Sequence, residues 1–146
     1  MDYELLMDNK WTQKSLAMCV KEVIERKLTI DYIEDSDYIV ISCECFTIRF
    51  DLEEIIGLDV IYEEYQFEAN ASARIQVFKN KFDEGLNLLF FLMKNMMDYQ
   101  DNDILFLENG SIIVLEKRGN KLITHVDKNW ETEYPFDILN RRIEIV

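Results

Sequence analysis

The sequence predicts a single α+β domain in which a mainly antiparallel β-sheet packs against two main α-helices. The 146 residues are about the length of one ordinary domain, so residues 1–146 are expected to fold as one unit. Two segments have the apolar spacing of amphipathic helices, and several others have the alternation and residue types of strands. Most strand candidates are joined by connections of hairpin length, which favours antiparallel pairing.

The first quarter of the chain predicts a strand, a helix and a second strand. Tyr3–Met7 is short and apolar, as expected for a first strand. Thr12 is suited to cap a helix, and Lys27–Ile33 then alternates with a period of two. The apolar stripe of the helix recurs at three- and four-residue spacing: Leu16, Cys19, Val20, Val23 and Ile24.

The middle of the chain predicts further strands and the most apolar helix. Tyr38–Phe50 is rich in β-branched and aromatic residues and predicts one long strand or two. Val60–Phe67 and Arg74–Phe78 are also predicted as strands. From Phe82 to Met97 one wide apolar face keeps helical spacing, so we expect this helix to lie against the sheet with another element beside it.

The last third predicts a β-meander and a tail. Ile104–Leu107 and Ile112–Glu116 are separated by an Asn-Gly pair, which favours a tight hairpin turn. A second turn leads into Lys121–Val126, the next predicted strand. Pro135 marks a boundary, and Phe136–Ile145 is compatible with a short helix or an added strand.

The charge balance excludes some classes of partner. The chain has 29 Asp and Glu against 16 Lys and Arg, a formal net charge of −13. Such a surface repels nucleic-acid backbones and anionic membranes, so we expect neither as a partner. It attracts basic proteins.

The chain has the features of a cytoplasmic protein. The first ten residues, MDYELLMDNK, carry acids where a secretory leader carries positive charge. The longest apolar stretch, Leu86–Met97, contains polar interruptions and is shorter than the roughly 20 residues of a membrane-spanning helix. Three cysteines are an odd number without the density of a disulfide scaffold. We therefore predict a cytoplasmic location.

The sequence contains no enzyme signature, and we predict a non-catalytic chain without cofactor or metal. His125 is the only histidine and lacks an accompanying nucleophile motif. Cys43 and Cys45 form one close pair, predicted within a strand, whereas structural zinc sites usually show two pairs on tight turns. A weaker alternative is a small hydrolase or metal-dependent enzyme centred on His125 or on the cysteines, with Cys19 as a further ligand.

Acidic residues concentrate in the second quarter of the chain. From Glu34 to Glu68 the only base is Arg49. Any one acidic cluster is ordinarily a solvated surface, but a region this one-sided repels itself, which favours a positively charged partner. Tyrosines among the acids are typical of interface anchors. The residues that we predict to contact such a partner are Asp35, Asp37, Glu53, Glu54, Tyr62, Glu63, Glu64 and Tyr65.

A resemblance adds a more specific expectation. The apolar helix is followed by Asp103-Ile104-Leu105-Phe106-Leu107-Glu108-Asn109-Gly110 and then by the strand Ile112–Arg118. This order resembles immunity proteins of bacterial polymorphic toxin systems, of the swarming-inhibition and contact-dependent-inhibition type, and the opening Asp2-Tyr3-Glu4-Leu5 is similar as well. Ser111 follows the glycine where a further acid would be expected.

The resemblance implies an antidote in the cytoplasm that binds one cognate toxin domain and has no catalytic residues of its own. Many such toxins are nucleases with basic clefts, so an acidic inhibitor can occlude the active-site surface electrostatically. Our leading hypothesis is therefore an immunity protein for a basic toxin domain. The alternative is a non-catalytic acidic adaptor or regulatory domain that binds another protein.

Overall fold

A nine-stranded sheet forms the centre of the computed structural model, which describes residues 1–146. The strands are β1 (Asp2–Met7), β2 (Asp31–Glu34), β3 (Tyr38–Ser42), β4 (Phe46–Asp51), β5 (Ala71–Val77), β6 (Ile104–Glu108), β7 (Ile112–Arg118), β8 (Lys121–Thr124) and β9 (Glu144–Ile145). The helices are α1 (Gln13–Glu25), α2 (Leu58–Tyr65) and α3 (Phe82–Tyr99). The predicted α+β class is confirmed.

The strand order is β2-β3-β4-β5-β1-β6-β7-β8-β9. All neighbouring strands are antiparallel except β8 and β9, which are parallel. The first strand of the chain therefore lies in the centre, between β5 and β6. None of the three helices has the length and apolarity needed to cross a membrane.

The inner face of the sheet, on which Tyr3, Leu5 and Met7 of β1 lie, is covered by α1 and α3. It contributes to a cluster of 35 buried apolar residues. The predicted cap of α1 is confirmed: the Ser15 N–H donates to Thr12 Oγ1 at 3.0 Å, and the Thr12 N–H donates to Ser15 Oγ at 2.9 Å. This reciprocal capping box fixes where α1 begins.

The outer face of the same sheet, on which Glu4 and Leu6 of β1 lie, is covered only in part. Ile61 of α2 joins Leu6, Phe67, Leu105 and Leu107 in a separate cluster of five buried residues. Because Ile61 is the only buried residue of α2, this helix is held to the sheet by one narrow stripe.

The tail after β8 folds back onto the inner side of the sheet and contributes to the core. Tyr134 is buried, its hydroxyl oxygen lies 3.0 Å from that of Tyr3, and it donates to the carboxylate of buried Glu108. Burial is the main cause that raises the pKa of Tyr134, so its hydroxyl keeps its proton and remains a hydrogen-bond donor to Glu108. Phe136 packs edge-on against Phe90 of α3, with ring centroids 5.5 Å apart. The tail is thus the element that we expected beside the apolar helix.

One predicted element is wrong, and others are refined. The predicted strand Val60–Phe67 is instead the helix α2 followed by a turn. Its residues Leu58, Ile61 and Tyr65 share one helical face against the outer sheet, and this packing overrides the β-propensity of the segment. Gly57 before the helix and Gln66 after it have positive φ angles of 89° and 51°, which set α2 off from the adjoining chain.

The other boundaries follow from local hydrogen bonds. The predicted strand Lys27–Ile33 is replaced by β2, which begins only at Asp31, because the turn at the end of α1 continues to Leu28, whose N–H donates to the Ile24 carbonyl at 3.0 Å. The segment Tyr38–Phe50 contains two strands, β3 and β4. The tail contains both predicted alternatives, a 3₁₀ turn at Phe136–Leu139 and the short strand β9.

Candidate functional site

Four of the predicted contact residues lie together at one end of the sheet. Asp35 and Asp37 belong to the turn between β2 and β3, and Glu53 and Glu54 belong to the loop after β4. The backbone N–H of Leu52 donates to the carbonyl of Asp37 at 2.9 Å, which joins the loop to the turn. We call Asp35, Asp37, Glu53 and Glu54 the acidic rim; all four are exposed.

The negative charge of the acidic rim is not neutralised within the chain. The charge of Asp37 beside Glu53 is the main cause that raises the pKa of the Glu53 carboxyl. No rim carboxylate lies within 4.0 Å of a Lys or Arg nitrogen. Two like charges in contact destabilise each other, so a cation from another molecule would relieve the repulsion.

The acids that border the rim are paired. Glu34 lies 3.2 Å from Lys14 Nζ, and Asp51 accepts from Arg49 Nε at 2.9 Å. Asp51 is also bridged by Arg74, which is the direct cross-strand neighbour of Arg49. The single base of this acidic quarter is therefore engaged with Asp51 and is not available to the rim.

The second group of predicted residues lies on α2, over the outer face. Tyr62, Glu63 and Glu64 are exposed, and Glu63 and Glu64 have no salt-bridge partner within the chain. Asp59 in the first turn of α2 is a third exposed acid, suitably placed for the helix dipole. The exposed side of α2 therefore carries three acids, of which Glu63 and Glu64 are next to each other.

Tyr65 has a different position from the other predicted residues. Its side chain packs against the five-residue cluster under α2, and its hydroxyl lies 3.2 Å from the carbonyl oxygens of both Gly110 and Ser111. Burial, followed by the charge of Glu64, raises its pKa. In the structure Tyr65 holds α2 to the β6–β7 hairpin.

The rim and α2 are close enough to share one partner. The loop from Leu52 to Gly57 joins them directly. In the sheet β4 is three positions from β6, on which α2 packs, and three strand spacings amount to about 14 Å. A standard interface covers roughly 800 Å² on each partner and easily spans both groups.

The residues considered for catalysis lie apart from this surface. Cys43 and Cys45 lie in the turn between β3 and β4 rather than within a strand as predicted, because the pairing of these strands ends at Ser42 and Phe46. Burial raises the pKa of the Cys45 and Cys19 thiols to about 11 each, which keeps them protonated at neutral pH. His125 is exposed. No group of three or more His, Cys, Asp or Glu side chains is placed to hold a metal ion.

The open part of the outer face contains a shallow hollow that the sequence did not indicate. It has a volume of about 310 Å³ and is lined by charged and polar side chains that include Glu4, Arg49 and Arg74. Glu4, Arg74 and Arg49 are consecutive cross-strand neighbours, and Asp51 bridges the two arginines, so opposite charges compensate one another. Burial raises the pKa of Glu4, with the charge of Arg74 acting in the opposite direction. We find no convergence on a reacting atom there.

The sequence also missed two exposed apolar residues beside the acids. Ile56, in the loop before α2, is 80% exposed and Val60, on α2, is 48% exposed. The assignment of Val60 to a strand hid this feature. A helical phase, with Leu58, Ile61 and Tyr65 on one side, would have placed Val60 outside the packed stripe.

Comparison of the chain with family models, curated proteins and solved structures finds no match. The interpretation of the site therefore depends on its own chemistry.

Proposed function

We propose that this chain is an immunity protein that binds a basic toxin domain and occludes its active-site surface. The observation that supports the proposal is the set of exposed acids without partners on the rim and on α2, which one short loop joins. A basic cleft such as that of a nuclease complements this region, because its cations would neutralise carboxylates that repel one another. The resemblance in the β6–β7 hairpin favours the same function.

Electrostatic attraction affects mainly the rate of association. Complementary fields raise association rates by roughly 10–10³-fold at low salt and lose this effect as salt increases. Desolvated charge pairs then add to the affinity once the complex has formed. A protein with this role acts in the compartment of its target, the bacterial cytoplasm, and needs no cofactor.

The proposal predicts protection and direct binding. We expect that expression of this chain protects cells from the toxin domain encoded by the adjacent gene, and that the two purified proteins form a complex. A chain that neither binds that product nor protects against it would contradict the proposal. Binding to the product without any effect on its toxicity would favour the acidic adaptor instead.

Charge reversal tests which surface is used. We expect Glu63→Lys with Glu64→Lys to slow association about tenfold or more and to weaken its dependence on salt, measured by stopped-flow binding at several salt concentrations. Glu131→Lys with Glu133→Lys is the matched control, since these exposed acids lie in the tail on the opposite side of the sheet. Equal kinetics in the two double variants would exclude α2 from the interface.

A further inference from the structure

The region around α2 combines exposed apolar side chains with unpaired acids. Ile56 is 80% exposed, Val60 48% and Tyr62 51%. This is the one part of the chain where three large, exposed apolar side chains lie within seven residues. Scattered exposed apolar residues need no explanation, but Ile56 and Val60 lie one helical turn apart in the chain, beside unpaired acids, and exposed apolar groups in such a setting are typical of binding surfaces.

Acids flank these residues along the chain. Asp59, Glu63 and Glu64 lie on α2 itself, and the acidic rim ends at Glu54, two residues before Ile56. None of these carboxylates is neutralised within the chain. An apolar centre within a charged border is the usual arrangement of a protein interface, in which central residues contribute most of the affinity.

We propose that Ile56 and Val60 are the apolar anchors of the contact with the toxin domain, and that they enter an apolar hollow bordered by Lys and Arg side chains. This inference rests on the proposed function and specifies the chemistry of its partner. The acids steer the partner and determine the association rate, whereas the anchors slow dissociation.

Charge argues against the other occupants. A second copy of the chain on a two-fold axis would bring Asp59, Glu63 and Glu64 against their own counterparts, and such like-charge contacts are unfavourable. An anionic membrane or a nucleic acid would be repelled by the same carboxylates. A basic protein surface is the partner whose charge complements the acids and whose apolar groups complement the anchors.

The test compares a double variant, which carries both Ile56→Ser and Val60→Ser, with the unaltered protein. The probe is the purified toxin domain encoded by the adjacent gene. We expect dissociation to become at least tenfold faster, with little change in the association rate, and we expect this loss to persist at high salt. Because Ile56 is mostly exposed and Val60 about half exposed, the double variant should unfold near the temperature of the unaltered chain, which a thermal scan verifies.

Tyr99→Ser is the matched control, since Tyr99 is 79% exposed at the end of α3, on the other side of the sheet. It should bind the probe like the unaltered chain. If the unaltered chain fails to bind the probe, the proposed function fails and this inference fails with it. If charge reversal slows association but the serine double variant dissociates no faster than the Tyr99→Ser variant, only the apolar anchors are overturned. Self-association that the serine substitutions abolish would replace the toxin by a second copy.

Discussion

The two faces of the sheet differ in how much they bury and in what they leave exposed. On the inner face α1, α3 and the tail enclose a cluster of 35 apolar residues. On the outer face α2 encloses five, and the strands from β2 to β5 carry polar or half-exposed side chains. A protein of this size obtains its stability from the larger cluster. The parts of the chain outside this cluster therefore tolerate features that oppose stability, such as the contact between Asp37 and Glu53 in the acidic rim.

Buried and exposed carboxylates show the same contrast. Glu108, the last residue of β6, lies on the inner face of the sheet and is buried. It accepts hydrogen bonds from the hydroxyl of Tyr134 and from the indole N–H of Trp130, the latter at 3.4 Å. Glu53 on the rim has another carboxylate as its neighbour. The buried carboxyl group of Glu108 has hydrogen-bond donors within the chain, as buried polar groups require, whereas the carboxyl group of Glu53 is exposed to solvent or to a partner.

The largest expected effect is a loss of stability when a buried side chain of the inner face is shortened. Phe106 on β6 is fully buried on the inner face, stacked on Tyr3 at 5.2 Å between ring centroids. Phe106→Ala should lower the free energy of unfolding by about 3–5 kcal/mol, because it leaves a cavity in the larger cluster. Denaturant unfolding measures this loss. A loss below about 1 kcal/mol would show that the inner face is not the main source of stability.

The adjacent residue provides the matched test of the outer face. Leu107 is also fully buried, but in the small cluster under α2. Leu107→Ala should cost about 2 kcal/mol, near the lower end for such substitutions, because α2 can settle into the space. Hydrogen exchange should become faster in α2 than in α1, which would show that α2 opens separately. Equal acceleration in both helices would contradict the distinction between the faces.

The elements of the inner face were largely predictable from sequence, since their periodicity is imposed by one continuous core. The stripe from Leu16 to Ile24 and the wide face of α3 both indicated what they would bury. The segment of α2 was mispredicted because Val60, Ile61 and Tyr62 favour strands when taken alone. Only packing on Leu105 and Leu107, about 45 residues later, selects the helix, and such a contact has no local signal.

The acidic and aromatic residues of the candidate site were predictable from sequence, but the salt bridges and contacts that they make were not. The sequence identified the acids and the single local base, but not that Asp51 would be neutralised by Arg49 together with Arg74 from another strand. It could not distinguish Tyr65, which faces the sheet, from Tyr62, which faces solvent. Cross-strand register and helix orientation determine both outcomes, and each depends on residues distant in the chain.

The smallest expected effect comes from the repulsion between Asp37 and Glu53 in the acidic rim. Because Asp37 raises the pKa of Glu53, the folded chain holds that proton more tightly than the unfolded chain does. The stability associated with Glu53 is therefore fully present below its unfolded pKa and is lost as pH rises through its higher, folded pKa. Glu53→Gln should raise the melting temperature slightly at pH 7 and leave it unchanged at pH 3, where Glu53 is protonated in both states.

Thermal unfolding from pH 3 to pH 8 measures this difference, and Glu54→Gln, which removes the same charge from the next exposed residue, is its control. The stabilisation by Glu53→Gln should exceed that of the control and should decrease in added salt, since the Debye length is only about 10 Å at 0.1 M. Identical pH profiles for the two variants would mean that Glu53 carries no particular repulsion. If the chain binds a basic partner at the rim, as proposed, that partner should abolish the advantage of Glu53→Gln, because its cations would neutralise the carboxylate that the substitution removes.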